Sequence, residues 1–99
     1  MIRYRIEMTQ AVRSLIRQLP PELKAKVKIC LRSIADDPYR AKVLRDELAG
    51  LRSYRIGRSR VIYRILGSMV QIVALGPRVD IYERAATELS KALRKGKSR

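Results

Sequence analysis

Apolar and polar residues alternate through Tyr54-Arg55-Ile56, through Arg60-Val61-Ile62-Tyr63-Arg64-Ile65-Leu66 and again through Met69-Val70-Gln71-Ile72-Val73-Ala74-Leu75, with glycines at 57 and 67 between the runs. A period of two broken by short glycine turns predicts an antiparallel meander. A two-residue turn at Gly67-Ser68 sets Leu66 opposite Met69, and that register puts Val61, Tyr63, Ile65, Val70, Ile72 and Ala74 on one face. This face is apolar throughout and is the predicted core face. The other carries Arg60, Ile62, Arg64, Gln71, Val73 and Leu75, and Arg55 joins it whether the preceding turn is Gly57-Arg58 or Arg58-Ser59.

Upstream, Ile2, Tyr4, Ile6 and Met8 alternate with Arg3, Arg5 and Glu7, which predicts a half-buried first strand over 2–8. Thr9 is a suitable N-cap for a short helix whose face is Val12, Leu15, Ile16 and Leu19. Pro20-Pro21 ends that helix and opens the next, because a proline in the first turn lacks only a donor that would be unpaired anyway. Leu23, Val27, Cys30, Leu31 and Ile34 form the stripe of the second helix, which Pro38 stops, and its lysines are expected to be a solvated face. Residues 39–50 are less regular, with Val43, Leu44 and Leu48 expected to pin a connection to the core. Beyond Pro77, Asp80 and Glu83 have the spacing of a capping box, and Ile81, Ala85, Leu89 and Leu93 form one face of a closing helix.

The expected fold is therefore α+β: a small antiparallel sheet in the order β-α-α-β-β-β-α, packed against an N-terminal helical hairpin, with a closing C-terminal helix. The arginine face of the sheet is expected to stay open. Residues 1–93 make one domain and 94–99 a basic frayed tail. No run is long and apolar enough to span a bilayer and no signal-peptide pattern stands at the start, so a cytoplasmic protein is expected.

Charge changes the picture most. Lysine and arginine number 23 against 9 aspartates and glutamates, a formal +14 at pH 7. An excess of that size on a small domain points to a polyanionic partner, or to an acidic protein. The chain has no histidine and a single cysteine, Cys30. Zinc chemistry, histidine acid–base catalysis and an internal disulfide are thereby set aside. A Mg²⁺ site would have to draw on Asp36, Asp37, Asp46 and Glu47, which fall at a helix end and a connection. No metal and no cofactor is expected.

What remains is arginine chemistry. Like charges paired across strands destabilise a sheet, so Arg55 beside Arg60 suggests an anion between them; the alternative is a solvated outer face in an arginine-rich chain. Arg55, Arg60 and Arg78 can hold a phosphate by charge-assisted bonds and stabilise extra charge on pentacoordinate phosphorus. Arginine stays protonated, so the base candidates are Tyr82, Asp80 and Glu83. RNA carries its own nucleophile in the 2′-hydroxyl, so a phosphate clamp with a weak base suffices to cut it, whereas DNA lacks that group. Tyr82 could equally stack on a base, or pack on the sheet edge with no chemical role. Arg58, Arg64 and Gln71 are candidate RNA contacts on the same basic surface.

In these residues the chain resembles the RelE toxins of the RelE/ParE superfamily. The resemblance lies in Leu44 through Leu51 to Tyr54-Arg55-Ile56, in Arg60-Val61-Ile62-Tyr63-Arg64-Ile65 and in Leu75-Gly76-Pro77-Arg78-Val79-Asp80-Ile81-Tyr82, and the element order agrees over about 2–93. It implies a type II toxin that enters the ribosomal A site and cuts mRNA there, leaving a cyclic phosphate and a 5′-hydroxyl. By position, Arg55 would match a basic residue of the first meander strand, Arg60 the phosphate-stabilising arginine, Arg78 the leaving-group arginine and Tyr82 the tyrosine that stacks on or deprotonates the nucleotide. Partners implied are mRNA, ribosomal RNA and a RelB-like antitoxin, acidic or amphipathic. The chain departs from the pattern at Gly57, where a second lysine is usual, and in a shorter Arg78-to-Tyr82 spacing. Two other readings stay open: a ParE-like inhibitor of DNA gyrase without catalytic residues, and an RNA-binding module or co-repressor that does not cut.

Overall fold

The structure, a computed structural model, describes residues 3–97, with the side chains of 47, 78–80, 89 and 92–97 outside the description. Its elements are β1 (Arg5–Met8), α1 (Gln10–Arg17), α2 (Pro21–Asp36), β2 (Lys42–Val43), a 3-10 turn at Asp46–Leu48, β3 (Leu51–Ile56), β4 (Ser59–Leu66), β5 (Met69–Pro77) and α3 (Arg78–Lys97). The five strands form one sheet in the order β1-β5-β4-β3-β2. β3, β4 and β5 make the expected antiparallel meander, with Ile56 opposite Ser59 and Leu66 opposite Met69. Each two-residue turn opens on a glycine in the left-handed region, Gly57 at φ +56° and Gly67 at φ +60°. Glycine at that first turn position is what a type II′ hairpin requires.

One strand departs from the expected sheet. β1 runs parallel to β5, pairing Arg5 with Met69 through Met8 with Ile72. The two helices between β1 and the meander return the chain to the opposite edge, so the N-terminal strand enters from the same end as β5 does.

The first face is built by α1 and α2. Thr9 caps α1, its Oγ accepting the Val12 amide at 3.3 Å, and Pro21 occupies the first turn of α2. Val12, Val27, Cys30 and Ile34 of the helices bury against Val61, Tyr63, Val70, Ile72 and Leu75 of the strands. Tyr63 is wholly buried and donates its hydroxyl to the Pro38 carbonyl at 2.5 Å, so a polar tip deep in the core is satisfied where α2 has just ended. Burial pushes the Tyr63 phenol up to about 12 and the Cys30 thiol up to about 12.

The second face corrects two expectations. Ile62 stands opposite Ala74 but Tyr63 opposite Ile72, so β5 carries one extra residue, Val73, at this point. Such a bulge inverts the alternation beyond it. Ala74, expected on the first face, therefore lies on the second, and Leu75 takes its place in the first core. The arginine face is not open along its length either. Ile62, Val73 and Ala74 make its middle apolar, and α3 lies there, burying Ile81 and Ala85 against them beside Leu44 and Leu51. Helix α3 also begins three residues earlier than the capping-box spacing suggests, at Arg78 directly after β5, and continues to Lys97. In the 39–50 connection Leu44 is buried and Leu48 half-buried as expected, but Val43 is 53% exposed as half of the short edge strand β2.

Candidate functional site

The meander's register assembles a row of positions across three strands at the β3–β4 hairpin end. Arg55 of β3 is opposite Arg60 of β4, and Arg60 is opposite Gly76 of β5. Paired residues in an antiparallel sheet project from the same face with their Cα atoms about 5 Å apart. Two arginines are thus direct cross-strand partners on one face. Arg60 is half-buried, and its Nη1 donates to Ser53 Oγ at 2.8 Å; Ser53 is only 2% exposed. Arg55 is exposed and its Nε donates to the Gly57 carbonyl at 3.1 Å. Arg58 occupies the second turn position at the tip and is exposed. Among the described residues neither Arg55 nor Arg60 has a carboxylate partner; the ion pairs Arg3–Asp36, Arg5–Glu7 and Glu88–Lys91 lie elsewhere.

Ser59 pairs with Pro77, so the end of β5 lies beside the same hairpin end, and Arg78 follows at once as the first residue of α3. The Arg78 side chain lies outside the described residues. Tyr82 comes four positions later, and that spacing puts both positions on one face of α3. Tyr82 is half-buried, packs on the second core, and lines an open recess of about 770 Å³ with Lys42, Val43, Leu44, Arg45, Asp46 and Leu48. Asp46 in that recess takes a left-handed backbone, φ 58°, uncommon for any residue but glycine.

Arg64 and Gln71 are not part of the row. They pair across β4 and β5, Arg64 Nε donating to Gln71 Oε1 at 2.7 Å. Four residues of strand separate Arg64 from Arg60, about 13 Å at the rise of a β-strand. Arg52 is different again. Its Nη1 donates to the carbonyls of Tyr39 and Ala41 at 3.0 and 3.1 Å, and its guanidinium stands 5.1 Å from the Tyr39 ring centre, so it ties down the segment after α2.

Sequence reasoning missed Ser53, although a signal was present. Leu51, Ser53 and Arg55 share one parity of β3, and a small hydroxyl two residues before Arg55 is the diagonal neighbour of Arg60. It also missed Arg84, whose Nη2 donates to the Leu75 carbonyl at 3.2 Å. No local pattern marks that contact, because it depends on how α3 crosses the sheet. Nor did it single out Lys42 and Arg45, which only the fold brings beside Tyr82. Among the described residues no three thiol or carboxylate side chains gather into a metal-binding group.

Fold and site together define a small basic α+β protein whose sheet ends in a cationic row suited to phosphate. This chain belongs to the RelE/ParE family of toxins of type II toxin–antitoxin systems. The family model described as the ParE toxin of the parDE type II toxin–antitoxin system matches residues 2–82. Toxin RelG of Mycobacterium tuberculosis is 38% identical over 85 residues, which cover 82% of this chain and 98% of that protein. The toxin–antitoxin complex RelBE2 from Mycobacterium tuberculosis contains a chain that superposes with a TM-score of 0.70 at 34% identity, over 81% of this chain and 97% of that one. A mutant of the E. coli toxin RelE in the free state shares the fold at 16% identity, with a TM-score of 0.69 over 94% of this chain and 97% of that one. The family match ends at Tyr82, so most of α3 lies beyond it.

Proposed function

We propose that this toxin is a ribosome-dependent endoribonuclease that cuts mRNA in the A site and so stops translation. The observation that carries the reading is the register pair Arg55–Arg60, two arginines paired across strands with no carboxylate partner among the described residues. A pair of that kind is at ease with a bound anion and strained without one. In the proposed reaction the 2′-hydroxyl attacks the adjacent phosphorus, its proton passing to a base for which Tyr82 is the candidate. The P–O5′ bond breaks and the departing oxygen takes a proton from solvent water, leaving a 2′,3′-cyclic phosphate and a 5′-hydroxyl. Arg60 and Arg55 take up the charge on the pentacoordinate phosphorus, and Arg78 is assigned to the departing 5′ oxygen. Arg58, Arg64 and Gln71 are assigned to holding RNA along the same surface. No metal is needed, because the nucleophile is within the substrate and the charge is met by guanidinium groups. The ribosome supplies what a site without a strong base needs most, an RNA strand already held in line.

The partner in normal growth is proposed to be a RelB-like antitoxin in the same cytoplasm. The RelBE2 complex and the archaeal RelE–RelB complex from Pyrococcus horikoshii OT3, the latter at 24% identity, support that choice. A second reading is kept because the matching family model carries the ParE description: a protein that blocks DNA gyrase and has no catalytic residues. Primer extension on an mRNA translated in a purified system, with and without ribosomes, separates the two. Cuts that need ribosomes and vanish with Arg60→Ala and Arg78→Ala are expected; intact mRNA alongside inhibited gyrase supercoiling would select the second reading.

A further inference from the structure

The arginine row reaches β5 at a residue without a side chain. Gly76 is the register partner of Arg60, so a side chain there would project from the same face. That space is already filled from α3. A Cβ on Gly76 would lie 2.6 Å from Arg84 Nη1, 3.5 Å from its Cζ and 3.7 Å from Cδ1 of Ile81. The same guanidinium donates from Nη2 to the Leu75 carbonyl at 3.2 Å. Arg84 thus reaches the last residues of β5 from the second turn of α3, one nitrogen over Gly76 and another bonded to the backbone of Leu75. A planar guanidinium can do both at once, covering a glycine while bonding to the carbonyl beside it.

No loop separates β5, which ends at Pro77, from α3, which begins at Arg78. The direction in which the helix leaves the strand is therefore set by contacts further along it. Ile81, fully buried, supplies one and Arg84 over Gly76 another. Both lie in the first two turns of α3, which also carry positions 78 and 82.

We propose that Arg84 is a positioning residue of the phosphate site: seated on Gly76 and bonded to Leu75, it fixes where α3 places positions 78 and 82 relative to Arg60. The proposal rests on the nuclease reading above. It also gives Gly76 a purpose, since any side chain there displaces the guanidinium.

The test is single-turnover cleavage of ribosome-bound mRNA by wild type, Arg84→Ala, Arg84→Lys, Gly76→Ala and Arg60→Ala, each with its ribosome affinity and melting temperature. Arg84→Ala and Gly76→Ala are expected to cut roughly 10- to 100-fold more slowly at saturating ribosomes, with half-saturation within about twofold of wild type, because misplacement acts on the reacting geometry. Arg84→Lys is expected to recover part of the rate, its ammonium reaching the same carbonyl without covering the glycine. A clamp with a merely structural role would lower the melting temperature and leave the saturated rate of the folded protein unchanged, and that result overturns the proposal. So does a wild-type saturated rate in Arg84→Ala beside an inactive Arg60→Ala. Should Arg60→Ala itself cut like wild type, the nuclease reading falls and this proposal with it. If Gly76→Ala does not fold, the comparison of Arg84→Ala with Arg84→Lys carries the test.

Discussion

One face of the sheet is closed along its length by α1 and α2, whereas the other is closed by α3 only over its middle, with Arg55 and Arg60 at one end and Arg64 with Gln71 at the other. The first face has a single task, and its one arginine on the meander, Arg52 opposite Tyr63, is itself bound to backbone carbonyls. The second mixes Ile62, Val73 and Ala74, which seat a helix, with cations that a wholly buried surface could not tolerate unpaired. Burial at its centre therefore holds the element that follows the arginine row, so on this face packing and chemistry are coupled. On the first face they are not.

The largest effects separate the two faces directly. Ile72, 1% exposed in the first core, and Ile81, fully buried in the second, should each cost about 2–5 kcal/mol of stability when cut back to alanine. Denaturant unfolding gives the two values, and cleavage assayed per folded molecule gives the contrast. Ile72→Ala is expected to leave cleavage unchanged, and Ile81→Ala to slow it, because only the second loosens the start of α3. Equal cleavage by both variants would break the coupling argued for the second face.

Next comes the row itself. Arg60→Ala should lower ribosome-dependent cleavage roughly 100-fold to 1,000-fold, the size expected for losing one donor to a charged transition state. Its stability should change by only about 1 kcal/mol, since the loss is one hydrogen bond to Ser53. A large drop in melting temperature would instead make Arg60 a structural arginine of the Arg52 type.

The first face has an alkaline limit of its own. The Tyr63 phenol, ordinarily near 10, is pushed up to about 12 by burial, and the Cys30 thiol is pushed from about 9 to about 12 by the same cause. The unfolded chain loses these protons first, so the folded state binds more protons than the unfolded one between the two values. Stability should accordingly be full below about pH 9 and fall as the pH rises toward 12. Tyr63→Phe is expected to flatten the part of that fall above about pH 10, and to cost about 1–2 kcal/mol at neutral pH by leaving the Pro38 carbonyl without its donor. Melting curves from pH 7 to 11 check both.

The same division explains how much was legible in the sequence. The register of β4 and β5 from the turn as far as Tyr63 and Ile72 followed from Gly67-Ser68, and the helix boundaries at Thr9 and Pro21 followed from capping and proline chemistry. That Arg55 shares a face with Arg60 was legible from either possible turn, and the structure makes the two direct partners by placing the turn at Gly57-Arg58. What was not legible begins at the bulge. A run such as Val73-Ala74-Leu75 is apolar at every position, so alternation carries no information about parity, and the extra residue leaves no mark. The covered second face was missed for the same reason, and with it Arg84, whose position over Gly76 depends on a helix crossing no local pattern encodes. The parallel pairing of β1 was hidden because it joins residues more than sixty positions apart.

The smallest effect tests whether the first face is as independent of chemistry as argued. Helix α1 has eight residues, too few to persist without help, and its Thr9 hydroxyl accepts the Val12 amide at 3.3 Å, toward the long end for such a bond. Thr9→Ala should therefore cost about 0.5–1 kcal/mol, the lower part of the range for a lost cap, and Thr9→Ser should restore most of it. Cleavage should not respond, since Val12 belongs to the first core and the arginine row stands on the opposite face. If Thr9→Ala slowed cleavage at saturating ribosomes while remaining folded, motion at α1 would be reaching the site through Leu15 and Leu75, which line the same clefts as Arg84. The two faces would then be one mechanical unit, and the first face would owe its rigidity to the chemistry behind it.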